Sequence, residues 1–106
     1  MFPRRERLRK SQDITYVLRR GRRITSPLFR ITLAPRRDQR LQVLVVCGKK
    51  VDKRSTVRNK LKRMVRELLR TKHREKLRGY NFVAHLTAEI KDATRADVQR
   101  ELQKIL

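Results

Sequence analysis

The feature that most constrains this fold is a short run in which almost every side chain is apolar. The run is Leu41 to Cys47, LQVLVVC, in a chain of 106 residues of which 39% are charged. A half-exposed strand alternates apolar and polar residues, whereas a continuous apolar run is typical of a strand covered on both faces. The sequence therefore predicts a sheet with this segment as a central strand and other elements packed over it.

Shorter periodic segments surround this strand. A helix is expected over 11–20 because Ile14, Val17 and Leu18 recur at helical spacing before Gly21. Alternating side chains predict strands over 28–34 and 80–86, and a Thr94–Asp97 capping box predicts a last helix, with Asp in the usual Glu position. The order of helix, about three strands, helix, strand and helix indicates a single-domain, two-layer α+β sandwich over residues 1–106. Residues 1–9 are expected to be a flexible basic N-terminus.

The charge balance restricts the class of partner. The chain has 31 Lys+Arg against 10 Asp+Glu, a formal net charge of +21, and such a chain repels itself when compact unless a polyanion neutralises it. Nucleic acid is the expected partner because its phosphates are dense and each contact releases counterions. No stretch has the roughly 20 apolar residues of a membrane span, and no secretory signal is evident. A single cysteine, Cys47, excludes intramolecular disulfides, and we expect a cytoplasmic protein without a membrane partner.

The segment from Val57 to Arg70, VRNKLKRMVRELLR, predicts a basic helix with one apolar stripe. With Leu61 at the centre of the stripe, four residues fall about 140–200° away: Asn59, Arg63, Arg66 and Arg70. Like charges at this spacing are unfavourable without a counter-anion, so the pattern favours RNA or DNA binding over an ordinary solvated face. The predicted nucleic-acid-binding residues are Lys49, Lys50, Lys53, Arg54, Arg58, Asn59, Lys60, Lys62, Arg63, Arg66 and Arg70.

No constellation of catalytic side chains is evident. His73 and His85 lie far apart in sequence, outside any metal-ligand spacing, and both are interpreted as bystanders. There is no Gly-rich phosphate loop, and no small-molecule cofactor is expected. Asn59 is a candidate for holding a hydrated metal ion or for reading a base edge. Any catalysis that involves this chain is therefore expected to belong to its partner.

The helix VRNKLKRMVRELLR resembles the signature helix of the bacterial ribonuclease P protein subunit. In that family, Arg-Asn-Arg is followed by an apolar residue, Lys-Arg, two apolar residues and Arg. The resemblance extends to RLRKSQDITYVLRRGRRITSPLFRITLAP before the helix, to Lys49-Lys50, and to LRGYNFVAHL after it. It covers nearly the whole chain.

The resemblance implies an α-β-β-β-α-β-α fold with a left-handed βαβ crossover. It also implies an accessory subunit of an endoribonuclease, one protein per RNA, that binds the ribonuclease P RNA and the 5′ leader of precursor tRNA. Hydrolysis to the mature tRNA 5′ end would be carried out by the RNA with Mg²⁺, which is bound mainly by the RNA and whose affinity the protein raises. The alternatives are a structural ribosomal protein and a nonspecific DNA-compacting protein.

Carried over by position, the resemblance assigns RNA contacts to Arg58, Asn59, Lys62, Arg63 and Arg66, and Lys60 occupies the second Arg of the signature.

The resemblance also implies a cleft for the single-stranded leader. Ile14 and Leu18 stand where the family commonly has Phe, with Phe29 or Ile31 beside them as further apolar floor. The alternative interpretation, that Ile14 and Leu18 are plain core, stays open. The loop from Lys50 to Arg58 is one residue longer than the family pattern and has Asp52 where Gly is typical.

Overall fold

The computed structural model describes residues 2–106 as a four-stranded sheet with helices on both faces. The predicted α+β class and order of elements are confirmed, with one short helix added before the last strand. The elements are α1 (Ser11–Arg20), β1 (Arg22–Thr25), β2 (Phe29–Pro35), β3 (Gln42–Val46), α2 (Ser55–Lys72), α3 (Arg74–Leu77), β4 (Tyr80–Leu86) and α4 (Arg95–Ile105), with 3₁₀ turns at Arg4–Glu6 and Ala88–Asp92.

The strands lie in the order β1-β2-β4-β3. β1 and β4 pair with β2 in antiparallel fashion, and β3 pairs with β4 in parallel, so that Ala84 lies between Ile31 and Val45. A parallel pair requires a crossover, and α2 with α3 supplies it between β3 and β4. The basic helix is therefore the crossover element of a βαβ unit.

β3 corresponds to the apolar run of the sequence, but it lies at the edge of the sheet, so the prediction of a central strand is wrong. Both of its faces are nevertheless covered: Val43 and Val45 are buried on one face, and Leu44 packs against buried residues on the other. The open backbone edge is met by the N-terminal segment, in which the Leu8 N–H donates to the Val43 carbonyl at 2.9 Å. A strand covered on both faces need not be central when another segment protects its edge.

The two faces of the sheet carry different helices. Phe29, Ile31 and Phe82 point into the main core, which α2 and α4 cover. Ala34 and Val83, one position out of step with them, point to the opposite face and pack with α1. The predicted sandwich of sheet and helices holds for α2 and α4, and α1 adds a third, smaller layer because the sheet has an apolar stripe on its second face as well.

α2 is fixed to the sheet by its apolar stripe. Val65, Leu68 and Leu69 are buried, as the periodicity predicts. The N-cap of α2 is Arg54, and no side-chain hydrogen bond caps this end of the helix. The predicted capping box of α4 is confirmed.

The turn into β4 is made by Gly79. Its φ of +82° falls in the left-handed region that favours glycine, so a glycine is required there.

Residues 2–9 pack against the core, so the prediction of a flexible N-terminus is wrong for them. Phe2 and Leu8 are buried in the two core clusters. The carboxylate of Glu6 is also buried and accepts two hydrogen bonds from the guanidinium of Arg74, one of them 2.7 Å long. The apolar residues interspersed among the N-terminal arginines anchor this segment, and the buried acid is satisfied by an ion pair.

Candidate nucleic-acid interface

The outward side of α2 is a continuous basic surface. Because buried leucines and valine hold one side of the helix on the sheet, Asn59, Lys60 and Arg63 are exposed on the other, while Lys62 and Arg66 are half-buried on its margins. Lys49, Lys50, Lys53 and Arg54 are exposed in the preceding loop. We call this set the basic ridge: Lys49, Lys50, Lys53, Arg54, Arg58, Asn59, Lys60, Lys62, Arg63 and Arg66.

Arg66 is a half-buried cation of the ridge, and a second cation, Arg7, lies close enough to act on it. Burial lowers the pKa of its guanidinium, and the positive charge of nearby Arg7 lowers it further. Arg7 belongs to the N-terminal segment, so the fold brings a cation to α2 that sequence reasoning missed. The signal was the presence of two apolar residues, Phe2 and Leu8, within this basic segment, since large apolar side chains are commonly buried. A bound anion at this place would relieve the repulsion.

Arg70 is not a free cation of the ridge. Its guanidinium pairs with the carboxylate of Glu67 at 2.5 Å, an i,i+3 contact on the same helix, and this hydrogen bond lowers the pKa of Glu67. We therefore end the basic ridge at Arg66, and the contact of Arg70 with nucleic acid stays a prediction.

Arg58 joins the helix to the loop. One of its guanidinium nitrogens, Nη1, donates to the carbonyl oxygens of Asp52 at 3.1 Å and Lys53 at 2.8 Å. The loop and the first turn of α2 are therefore held in one arrangement, although most of their side chains carry the same charge. The charges of Arg58 and Lys62 also act on the thiol of Cys47, whose pKa is raised chiefly by burial.

Asn59, Arg63, Arg66 and Glu67 line a shallow depression of about 160 Å³ on the ridge. Magnesium prefers several oxygen ligands, and two guanidinium groups beside the Asn59 amide disfavour a cation. Within residues 2–106, no three His, Cys, Asp or Glu side chains are placed to hold a metal ion together. The Glu67 carboxylate in the same lining is paired with Arg70, so the groups that remain around Asn59 are donors and favour an anion over a metal ion.

A second depression, of about 390 Å³, lies beside α1 on the opposite face of the sheet. Of the two β2 residues assigned to a cleft from sequence, Phe29 is fully buried in the main core and does not line this depression, so its assignment is wrong. Alternate residues of β2 face opposite sides of the sheet, and Phe29 lies on the other side. Ile31 is also fully buried in the main core, but it borders the depression. The lining residues are Leu18, Arg23, Thr25, Arg30, Ile31, Thr32 and His85.

The sequence left open whether Ile14 and Leu18 are plain core residues or line a cleft, and the structure gives a different answer for each. Both are half-buried and pack against the small cluster that includes Val17 and Val83, so both have a core role. Leu18 also lines the depression, and its carbonyl accepts a hydrogen bond from Arg23 Nη2 at 3.1 Å. Leu18 thus packs against the core and also lines the depression, whereas Ile14 packs against the core but does not line the depression.

His85 supplies a ring to this depression and is better placed than the bystander interpretation implied. It lies directly opposite Arg30 in the β2–β4 pair, and burial lowers its pKa, with a further contribution from the charge of Arg30. Its imidazole is therefore held in the neutral form near neutral pH. The register of β4, which places His85 on the same face as Val83, was the signal that sequence reasoning did not use.

Of the helices between residues 2 and 106, none combines the length and the apolar character needed to cross a membrane.

Comparison with known families gives a match over almost the whole chain. A model of the family described as Ribonuclease P matches residues 2–106. The ribonuclease P protein component of Aromatoleum aromaticum is 35% identical, over 94% of this chain and 83% of that protein. That of Nitrosomonas eutropha is 30% identical, over 99% of this chain and 88% of that protein.

Solved structures agree on the fold. The ribonuclease P protein of Thermotoga maritima superposes with a TM-score of 0.81 at 25% identity, over 95% of this chain and 94% of that one. The protein from Staphylococcus aureus gives a TM-score of 0.83 at 20% identity, over 94% of this chain and 91% of that one.

Proposed function

Because the chain belongs to the ribonuclease P protein component family and so acts as a subunit of a tRNA-processing enzyme, we propose that its basic ridge is the surface that binds the ribonuclease P RNA. This membership replaces the ribosomal and DNA-compacting alternatives. The observation that carries the proposal is the crowding of like charges on one side of α2, where Arg7 and burial together lower the pKa of Arg66. RNA phosphates are the anions that would neutralise such a surface, with counterion release as the driving force.

The proposal places the 5′ leader of precursor tRNA in the depression beside α1. Leu18 provides apolar surface there, Arg23 and Arg30 provide charge, and His85 provides a ring. Single-stranded nucleic acid is held by this combination of cations for the backbone and planar groups for the bases. The depression and the ridge lie on opposite faces of the sheet, so one protein would contact two RNA segments at once.

The chemistry is assigned to the partner. Hydrolysis at the tRNA 5′ end belongs, in this proposal, to the RNA with its Mg²⁺, and the protein contributes binding and positioning with one copy per RNA. The cytoplasm is the expected compartment. No reaction step is assigned to a protein side chain, and Asn59 acts as an RNA contact rather than a metal ligand.

The test is a double substitution on the ridge, Arg63→Ala with Arg66→Ala. We expect affinity for ribonuclease P RNA to fall roughly tenfold or more at moderate salt, and the slope of log K against log salt to fall by up to about 0.9 per lost phosphate contact. The matched control is Arg95→Ala with Arg100→Ala, which removes two arginines from α4 on the outside of the molecule. The control should bind RNA nearly as well as the unmodified protein.

Cleavage of precursor tRNA by the reconstituted complex gives the functional readout. The ridge variant should require more protein and more Mg²⁺ for the same rate, while the α4 variant should not. Equal RNA affinity for the two double variants at several salt concentrations would remove the ridge from the proposal.

A further inference from the structure

An acidic residue lies within the basic ridge, and its carboxylate is almost completely buried. The side chain of Asp52 is 5% exposed, although Lys53 and Arg54 beside it are exposed. A carboxylate within a surface that binds phosphates lowers the affinity for RNA if it acts only through its negative charge. The burial of this carboxylate indicates that it has a structural role instead.

Both oxygens of the Asp52 carboxylate are occupied. Oδ1 accepts from the backbone N–H of Arg54 at 2.8 Å and from its Nε at 3.1 Å. Oδ2 accepts from Arg54 Nη2 and pairs with Lys91 Nζ, each at 3.1 Å. These bonds hold the pKa of Asp52 far below its ordinary value, with the Arg54 side chain as the largest cause. The carboxylate is therefore ionised and fully engaged with protein groups.

These contacts tie the loop to other parts of the fold. Lys91 comes from the 3₁₀ turn Ala88–Asp92, which follows β4 in the chain. Val51, next to Asp52, is buried in the main core, and Arg58 of α2 binds the carbonyl oxygens of Asp52 and Lys53. The loop is thus fastened to the core, to α2 and to the 3₁₀ turn at one place.

We propose that Asp52 is a positioning residue for RNA binding, which holds the loop from Lys49 to Arg54, and through it Arg58, in the arrangement that meets the phosphates. The proposal rests on the proposed function, in which the ridge binds RNA. Without the anchor, neighbouring cations repel one another and the loop samples many conformations, so that each phosphate contact must order a side chain on binding. With the anchor, this ordering is complete before RNA arrives.

The direction in which RNA affinity changes when the Asp52 charge is removed distinguishes a positioning role from a purely electrostatic one. Removing a negative charge from a surface that binds a polyanion tightens binding if charge alone acts. Removing an anchor weakens it. Asp52→Asn keeps the shape and the acceptor for the Arg54 N–H but removes the ionic contacts with Arg54 and Lys91. Affinity for ribonuclease P RNA should therefore fall roughly three- to tenfold, and the salt slope should become shallower, as for the loss of one or two phosphate contacts.

The matched control is Glu89→Gln, which removes one exposed acid from the same 3₁₀ turn that carries Lys91. It should bind within about twofold of the unmodified protein or slightly tighter. Circular dichroism and thermal unfolding of each variant confirm that the fold is retained. Asp52→Asn with unchanged or tighter binding, in a folded protein, would overturn the proposal.

Two further variants test separately the contact between Asp52 and Lys91 and the RNA-binding role of the ridge. Lys91→Gln alone should weaken binding, but added to Asp52→Asn it should have little further effect, because the two residues act through one contact. Strictly additive losses would instead mean that Lys91 touches RNA independently of Asp52, and the anchor would be rejected. Arg63→Ala tests the ridge itself. If this variant keeps the RNA affinity of the unmodified protein, the proposed function fails. If Arg63→Ala lowers RNA affinity but Asp52→Asn does not, only the positioning role of Asp52 is rejected.

Discussion

The two faces of the sheet differ in how completely they are covered. The face under α2 and α4 buries large side chains such as Phe29 and Phe82 in one continuous core. The face under α1 has a small buried cluster around Val17 and Val83, and beyond the end of that helix it opens into the depression that contains His85. Apolar burial on the face under α2 and α4 therefore contributes most of the stability, and part of the face under α1 stays accessible to solvent.

Under the proposed function, this difference would let a small basic domain hold two RNA segments. Apolar burial is the main stabilising term, and here it is concentrated on the face where α2 lies, so the ridge rests on a rigid support. The face under α1 gives up burial and keeps polar groups such as Arg30 at the surface. Substitutions that compare the two faces test this division directly.

The largest expected effect compares two buried leucines. Leu69 of α2 belongs to the main core and Leu8 of the N-terminal segment to the smaller cluster, and both are almost fully buried. Leu69→Ala should lower the free energy of unfolding by about 4 kcal/mol, because the rigid core cannot close the cavity. Leu8→Ala should cost about 2 kcal/mol, near the lower limit for such a change, since the terminal segment can shift inward.

Urea unfolding of the free protein measures both values. Equal losses at Leu69 and Leu8 would mean that the second face is packed as rigidly as the first, and the proposed division of the sheet would fail.

The general architecture was accessible from the sequence because apolar periodicity dictates which side of each element is buried. The stripe of α2, the alternation in β2 and the capping box of α4 are all local patterns, and all were predicted correctly. The position of β3 in the sheet was not predicted correctly. A continuous apolar run indicates that both faces of a strand are covered, but it does not distinguish a central strand from an edge strand. The protection of its edge by Leu8 is a contact between distant segments.

The candidate site was predictable to the same extent. The side of α2 that carries cations follows from the helical angle, so the placement of Asn59 and Arg63 on the exposed side agrees with the sequence pattern. The pairing partners do not follow from it. Asp52 meets Lys91 across 39 positions, and no periodicity links a loop to a distant 3₁₀ turn. The error at Phe29 arose from choosing the wrong face of a correctly predicted strand.

A smaller effect compares neighbouring residues of α1. Leu18 borders the depression, whereas Val17 is fully buried under the helix. Leu18→Phe should leave stability nearly unchanged and strengthen binding of a single-stranded RNA leader about fivefold, since one stacked base contributes about 1 kcal/mol. Val17→Phe should destabilise the fold by about 1–3 kcal/mol, because there is no space for the ring.

Fluorescence anisotropy with a labelled leader oligonucleotide, beside thermal unfolding, separates the two outcomes. If Leu18→Phe destabilises the protein as strongly as Val17→Phe and brings no gain in affinity, Leu18 is plain core and the leader is bound elsewhere.

The smallest expected effect concerns the two histidines, which lie on different faces. Burial lowers the pKa of both His73, in the main core beside Gln99, and His85, in the depression beside Arg30. A histidine whose pKa is lower in the folded state favours folding while it is neutral. Stability should therefore be constant above about pH 6.5, the ordinary value, and should fall as the pH drops below it, because the unfolded chain takes up protons first. His73→Gln and His85→Gln should each reduce this dependence.

RNA should affect the two histidines differently. A leader phosphate held by Arg30 lies close to the His85 ring, so its negative charge favours the imidazolium form and raises the pKa of His85. His73 is enclosed by protein, and its pKa should not move. The sequence contains two histidines, so the ring signals can be followed separately by NMR titration with and without a leader oligonucleotide. An upward shift confined to His85 places the oligonucleotide on the open face of the sheet. A bound oligonucleotide that moves neither pKa, or moves both equally, would show that the depression beside α1 is not the leader site.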